Sequence, residues 1–398
     1  MNENSYSGSQ AREVVRIPPI LKVENFGPIK SANVVFSDLT VFVGPQAAGK
    51  SILLQLLKLL GDISSIKKEF ARAGVDWSDD FYGFLDVYFG EGMRSLWKPD
   101  TRIRLNGNHI NLKGLIDEKK NRRESLFFIP AQRVLALRDG WPSAFNYYDA
   151  SVPFTLREFS EHLRLLMSDF GTEGTLFPLP RRLKSEFRDL LQTHIFPGFD
   201  LKIDTQRAQK RLVLASQGQN GGSLPVAVWS TGQREFVPLL LGLYWLMTAS
   251  KTPRRKGVQW VVVEELEMGL HPRAISIVML MMFELMARGY RVCLSTHSPQ
   301  VLDAVWALQR LKTHGAPAAE LLKVFGAEPS AAMLDLAEKV MKRNTKVYYF
   351  DRETGKTKDI SNLDPSAEEA GESGWGGLAE FSGRANEAVA RAVANSNR

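Results

Sequence analysis

The run Gly44-Pro45-Gln46-Ala47-Ala48-Gly49-Lys50-Ser51 constrains this chain more than any other stretch of it. It fits G-x-x-x-x-G-K-[ST], and its flanks suit that pattern. Leu39 to Val43 is a short apolar run that predicts a buried strand, and Ser51 to Leu60 spaces its leucines as a helix does. A strand, a glycine turn and a helix in that order aim backbone N–H groups at one point. That point lies at the positive end of a helix dipole, where a polyphosphate binds well. Gly44, Pro45, Gln46, Ala47, Ala48 and Gly49 would form the cradle. Lys50 would reach the β- and γ-phosphates, and Ser51 would offer its hydroxyl to Mg²⁺.

Composition sets the class. Of 398 residues, 44% are hydrophobic and 24% charged, as in an ordinary soluble globular protein, and the length allows two or three domains. No apolar run reaches the ~18 residues needed to span a bilayer, so no membrane partner is expected. The first residues lack the charged-then-apolar pattern of a secretory signal. The single Cys293 excludes an internal disulfide and fits a reducing cytoplasm. It lies in an apolar run, which predicts a buried thiol. A formal charge of +7 permits contact with DNA without demanding it. The positive charge is scattered in short groups at Lys119–Arg123, Arg181–Lys184, Arg254–Lys256 and Lys342–Arg343.

The pattern along the chain gives an α/β reading in five parts. Residues 1–16 read as a disordered tail. Residues 17–137 read as the N-terminal half of a mixed-sheet core with an antiparallel β lobe, including a hairpin turning at Asn106-Gly107 and a strand over Ser125–Ile129. Residues 138–223 read as a mainly helical insertion followed by short strands near 201–204 and 211–215. Residues 224–310 alternate strand and helix as the C-terminal half of the core. Residues 311–398 read as a small α+β extension, with a hairpin turning at Glu353-Thr354-Gly355 and an acidic, glycine-rich loop from Glu368 to Gly377.

Cleaving a phosphoanhydride needs acids as well as a cradle. The apolar run Val258–Val263 ends in Glu264-Glu265, and carboxylates at the end of a parallel strand can hold Mg²⁺ and orient water. Neighbours on a strand face opposite ways, so the two need different roles unless the strand has ended there; we assign Glu264 to the metal and Glu265 to the water. Ser230-Thr231-Gly232-Gln233 opens a further helix and is a second place where phosphate could be held. An ordinary helix cap explains the same residues. If both cradles act on one nucleotide, the economical arrangement is a head-to-tail homodimer or a higher oligomer, clamped through its ATP sites. A second strand-like run, Arg291–Leu294, leads through Ser295-Thr296 to His297, within reach of a γ-phosphate.

These four pieces, in this order, resemble the soluble, non-transporter ABC-class ATPases. They are similar to the OLD-like and AAA_15/AAA_21-type members, relatives of SMC and RecF heads. The resemblance covers roughly residues 20–60, 125–135 and 224–300. It implies Walker A at Gly44–Ser51, a signature motif at Ser230–Gln233, Walker B at Val261–Glu265, and a switch histidine at His297. Glu267-Met268-Gly269-Leu270-His271-Pro272 matches the "E-x-x-L-H-P" segment and places His271 at the dimer interface. Ile129-Pro130-Ala131-Gln132-Arg133 resembles "I-P-A-x-R", with Gln132 in the Q-loop position. Two departures are Glu264 where most ABC proteins have Asp, and Leu266 where proline is usual. The resemblance implies ATP and Mg²⁺ as ligands, ATP hydrolysis, and a separate effector protein, often in anti-phage defence. It also admits a RecF- or SMC-like DNA factor, or a nucleotide-gated scaffold with little turnover. About a hundred residues follow Pro299, too few for a TOPRIM nuclease, so none is expected.

Overall fold

The computed structural model describes residues 20–77, 80–117, 124–170, 174–180, 182–206, 209–218, 222–247, 254–365, 367, 370–378 and 380–396. The tail at 1–16, the basic group at 119–123, Arg181 and Glu368 lie outside these residues.

The chain opens with β1 (Ile20–Phe26) and β2 (Ile29–Val35), an antiparallel pair. Next comes β3 (Leu39–Val43), buried along its whole length as a central strand must be. The glycine loop leads into α1 (Lys50–Arg72). α2 (Phe81–Phe89), β4 (Trp97–Leu105), β5 (Asn108–His109), α3 (Leu112–Asp117) and β6 (Leu126–Ile129) follow. Asn106 and Gly107, at φ 51° and 85°, make the tight turn expected of Asn-Gly between β4 and β5. The middle segment holds α4 (Phe154–Ser168), β7 (Gly174–Phe177), α5 (Ser185–His194), β8 (Phe199–Gln206), β9 (Gln209–Ser216) and β10 (Ser223–Pro225). Then come α6 (Thr231–Leu246), β11 (Trp260–Val263), α7 (Pro272–Ala287), β12 (Arg291–Thr296) and α8 (Pro299–Thr313). α9 (Ala318–Val324), α10 (Ala331–Met341), β13 (Thr345–Asp351), β14 (Lys356–Asp359), α11 (Ala370–Ser373) and α12 (Glu380–Ser396) complete the chain.

Ten strands form one sheet in the order β5-β4-β1-β2-β14-β13-β3-β12-β11-β6. From β13 to β6 the strands are parallel, and the β1–β2–β4–β5 end is antiparallel. Period-2 alternation splits the parallel strands between two hydrophobic cores. Val41, Val43, Phe127, Ile129, Val261 and Val263 face one core, which also contains buried side chains of α6 and α7. Phe42, Phe128, Val262 and Cys293 face the other, with leucines 53, 54, 56 and 57 of α1. Burial pushes the Cys293 thiol well above its usual range.

Two parts of the fold differ in emphasis from the sequence reading. The middle segment carries α4 and α5 but also most of a second, four-stranded antiparallel sheet, β10-β9-β8-β7. β7 is four residues long and includes Gly174, so it has no alternation to read. The C-terminal segment lends β13 to the main sheet, directly beside β3, and so helps build the core. Among the described residues no helix is long and apolar enough to cross a membrane.

A buried ion network fastens the loop-bearing helix to the rest. Lys58, fully buried on α1, donates to Asp62 Oδ2 (3.0 Å), Glu124 Oε1 (3.1 Å) and the Leu126 carbonyl (2.7 Å), and pairs with Glu158 of α4 (2.8 Å). Against the effect of burial, Lys58 and His162 hold the Glu124 carboxyl well below the usual range. Ligand atoms of Glu124, Glu158 and His162 lie within 4.8 Å of one another, but the Lys58 ammonium already serves as the cation there.

Candidate functional site

Strand register brings the site together. Val43 of β3 lies opposite Thr296, Leu294 of β12 opposite Val263, and Val263 of β11 opposite Ile129 of β6. The segments that leave the C-terminal ends of these strands therefore start from one edge of the sheet. They are Gly44–Gly49, Glu264–Glu267, His297-Ser298 and Pro130–Arg133.

The loop is shaped by two glycines. At Gly44 (φ 141°) a Cβ would collide with the Phe350 carbonyl oxygen; at Gly49 (φ 98°) it would sit 2.7 Å from Ile29 Cγ1. Lys50 is buried and donates through Nζ to the Gly44 and Pro45 carbonyls, at 2.7 and 2.8 Å. Burial lowers its pKa to about 8, with Glu265 and Glu267 pulling it back up. A desolvated ammonium held only by neutral oxygens gains from meeting an anion.

Glu264 is 3% exposed. Its Oε2 accepts from the Ala131 N–H at 3.2 Å. Its Oε1 makes no hydrogen bond of acceptable geometry among the described residues, although the Ser51 hydroxyl lies near enough to draw the carboxyl down. Burial dominates and raises this carboxyl to about 7. A buried orphan carboxylate oxygen beside a serine hydroxyl is a hard-oxygen donor set, and it fits Mg²⁺.

β11 ends at Val263, so face alternation does not govern the two glutamates. Glu265 instead takes a left-handed backbone, φ 43°. This bend is held from both sides. The Glu265 N–H donates to Ser295 Oγ (3.2 Å), and its carbonyl accepts from Arg133 Nη1 and Nη2, both at 3.3 Å. Arg133 is fully buried and also donates to the Glu264 carbonyl (3.0 Å) and, through Nε, to the Glu235 carbonyl on α6 (3.1 Å). Glu267 accepts from Thr296 Oγ1 (3.0 Å) and from the His297 N–H. Burial and the nearby Lys50 lower the His297 pKa, against Glu265 and Glu267, which favours the neutral ring.

Arg133 and Glu267 were given no role in the sequence reading. Arg133 carries two signals, the last letter of the I-P-A-x-R segment and an arginine four residues past a fully buried strand end with no acidic neighbour in sequence. Glu267 stood out only as the first letter of a motif.

Ser230 and Gln233 form a reciprocal capping box on α6. Gln233 N–H donates to Ser230 Oγ (3.3 Å) and Ser230 N–H to Gln233 Oε1 (3.1 Å). Gln233 Nε2 also donates to the Ile195 carbonyl at 3.3 Å. A Cβ on Gly232 would lie 3.2 Å from the Gly269 carbonyl, so the helix start packs on the turn after Glu267. His271 caps α7 by accepting from the Arg273 N–H (3.3 Å) and is exposed, as is Gln132. The structure thus gathers the loop, Glu264, Glu265 and His297. Ser230, Gly232, Gln233, His271 and Gln132 lie outside that bonded group, with Ser230, His271 and Gln132 exposed.

Two family models match the chain. One is described as an AAA ATPase domain and covers residues 20–126; the other is described as an AAA domain, putative AbiEii toxin, Type IV TA system, and covers residues 174–303. Similar solved structures include an SMC head bound to the C-terminal winged-helix domain of ScpA (13% identity, 71% of this chain and 91% of that chain, TM-score 0.39). Another is an SMC head domain from Thermotoga maritima (14%, 71% and 90%, 0.30). A third is the recombination mediator RecF with a nucleotide analogue (15%, 71% and 94%, 0.33). No curated protein matches the chain. The two matches fall on the two halves that carry the loop and the acids, and together they support a P-loop ATPase family for this chain.

Proposed function

We propose that this chain binds and hydrolyses ATP, dimerises around the nucleotide, and thereby regulates a separate effector protein. The convergence of Lys50, Ser51, Glu264, Glu265 and His297 on one sheet edge carries this reading, with the orphaned Glu264 oxygen as its sharpest detail. Lys50 exchanges the Gly44 and Pro45 carbonyls for β- and γ-phosphate oxygens. Ser51 and Glu264 would hold Mg²⁺, which when bound neutralises developing phosphate charge. Glu265, fixed by Arg133 and Ser295, orients the attacking water. Neutral His297, tied to Glu267, donates to the γ-phosphate and reports its presence. Ser230 and Gly232 act on the partner subunit's nucleotide, with Gln233 and His271 at the same interface. The exposed position of Ser230 and His271 supports this. The toxin–antitoxin wording of one matching model supports a defence setting for the effector.

The test is light scattering of Glu265→Gln with and without Mg-ATP, beside phosphate release by the wild type. An ATP-dependent rise from monomer to dimer, with turnover in the wild type alone, is expected. A mass that ATP leaves unchanged overturns nucleotide-driven dimerisation; a wild type without phosphate release overturns the enzyme.

A further inference from the structure

A pocket of about 770 Å³ opens at the sheet edge opposite the ATP site. It is lined by residues around the start of β13, by the segment before β3, and by the last turn of α8. The five residues of β3 separate it from the glycine loop, a span of roughly 16 Å. The pocket is independent of the catalytic edge, and nothing in the mechanism uses it.

Its chemistry is cationic and polar. Arg310 and Lys312 come from α8, Arg343 and Lys346 from the chain entering β13. Cations at a helix C-terminus have a structural explanation in the helix dipole, which covers Arg310 and Lys312 alone. A second pair, from another element, lines the same cavity but is engaged by acids. Arg343 lies 3.5 Å from Asp38, and Lys346 is paired with Asp359 at 2.7 Å. The other two bond to neutral oxygens. Lys312 donates to the Arg343 carbonyl (2.9 Å) and Asn344 Oδ1 (3.1 Å), and Arg310 to the Asn362 carbonyl (3.4 Å). Arg310 and Lys312 are both exposed at the rim, with the side chains of Asn344 and Asn362 beside them. Asp364 is the acid in the lining. The aromatic in the lining, Phe36, is fully buried and offers no face for a base to stack on.

We infer that this pocket binds phosphate groups, through Arg310 and Lys312 at the rim, which exchange the neutral oxygens they now hold for phosphate oxygens, on a nucleic-acid strand or on a free polyphosphate. With no stacking platform, recognition is of phosphate oxygens and therefore independent of base sequence. This inference does not depend on ATP hydrolysis at the other edge, and its failure would leave that reading untouched.

The test uses the full chain carrying Lys50→Ala, so that the glycine loop contributes no phosphate binding. A fluorescein-labelled single-stranded 20-mer and inorganic tripolyphosphate are titrated by anisotropy and calorimetry, with and without Arg310→Glu/Lys312→Glu. Binding is expected to weaken at least about tenfold in the double variant. For the oligonucleotide, the salt slope is expected to fall by about 1.4, the loss of two phosphate contacts. Binding of both probes assigns a nucleic-acid strand. Binding of tripolyphosphate alone assigns a small polyphosphate. Thr313→Glu, which adds an anion at the exposed rim without removing a cation, guards against misfolding of the double variant and is expected to weaken binding in the same direction. ATP turnover of the double variant on the Lys50-intact background stays unchanged. If neither probe binds, or both bind the variants as tightly as the parent, the inference is wrong.

Discussion

Glu264 holds the clearest conflict between stability and function in this chain, and Glu264→Gln exposes it. Burial raises its carboxyl from an ordinary 4.5 to about 7. At about 1.4 kcal/mol for each tenfold change in proton affinity, the ionised form costs an upper bound of about 3 kcal/mol above pH 7. The sign follows from proton counting. Between pH 4.5 and 7 the folded state holds a proton that the unfolded state has lost, so this group's contribution to stability falls as pH rises through that window. Glutamine is neutral at every pH, keeps an oxygen for the Ala131 N–H, and puts its amide where the orphan oxygen was. Urea unfolding without nucleotide should therefore find Glu264→Gln more stable than the wild type at pH 8, by about 1–3 kcal/mol. The gap should close by pH 5. Addition of Mg-ATP should stabilise the wild type far more than the variant, and turnover should be lost. If the variant is no more stable at pH 8, or if the gap does not narrow in acid, the carboxylate is not the strained metal ligand argued above.

Three further perturbations probe the supports of the site. Arg133→Met strips donors from the carbonyls of Glu235, Glu264 and Glu265, and should cost about 3–5 kcal/mol in urea unfolding. Arg133→Lys, which keeps the charge but cannot span α6 and the acidic turn together, should recover most of that stability and little turnover. Lys58→Met leaves Asp62, Glu124 and Glu158 without their shared cation and should cost a similar amount at pH 8, with less loss near pH 4, where Glu124 and Glu158 protonate once Lys58 no longer opposes their burial; calorimetric melting across pH reads this directly. Glu267→Gln retains one acceptor where Thr296 and His297 need two, so phosphate release should slow about tenfold while ATP affinity, measured by titration calorimetry, stays within twofold.

The glycine loop was legible because strand, turn and helix signals are local and reinforce one another. The Asn106-Gly107 hairpin was legible for the same reason. What the sequence concealed are side chains whose roles exist only across strands. Arg133 reads as a charge after an apolar run, and only the parallel register of β6 with β11 puts its guanidinium under the Glu264 and Glu265 carbonyls. For the two glutamates, alternation along a strand applies only while the strand lasts, and β11 stops at Val263, so the left-handed turn at Glu265 sets where that side chain goes. Lys58 reads as an interruption in a leucine run, and beyond Asp62 on its own helix its acidic partners lie 66 and 100 positions away, on β6's approach and on α4. Ser230 behaves in the opposite way. Its local signal was fully readable, and within one chain it is satisfied by its own cap. In the proposed dimer its phosphate comes from the partner subunit's nucleotide, so Ser230→Ala should lower the ATP-dependent mass of Glu265→Gln towards monomer while ATP binding to one chain persists; a mass that stays dimeric refutes the role across the interface.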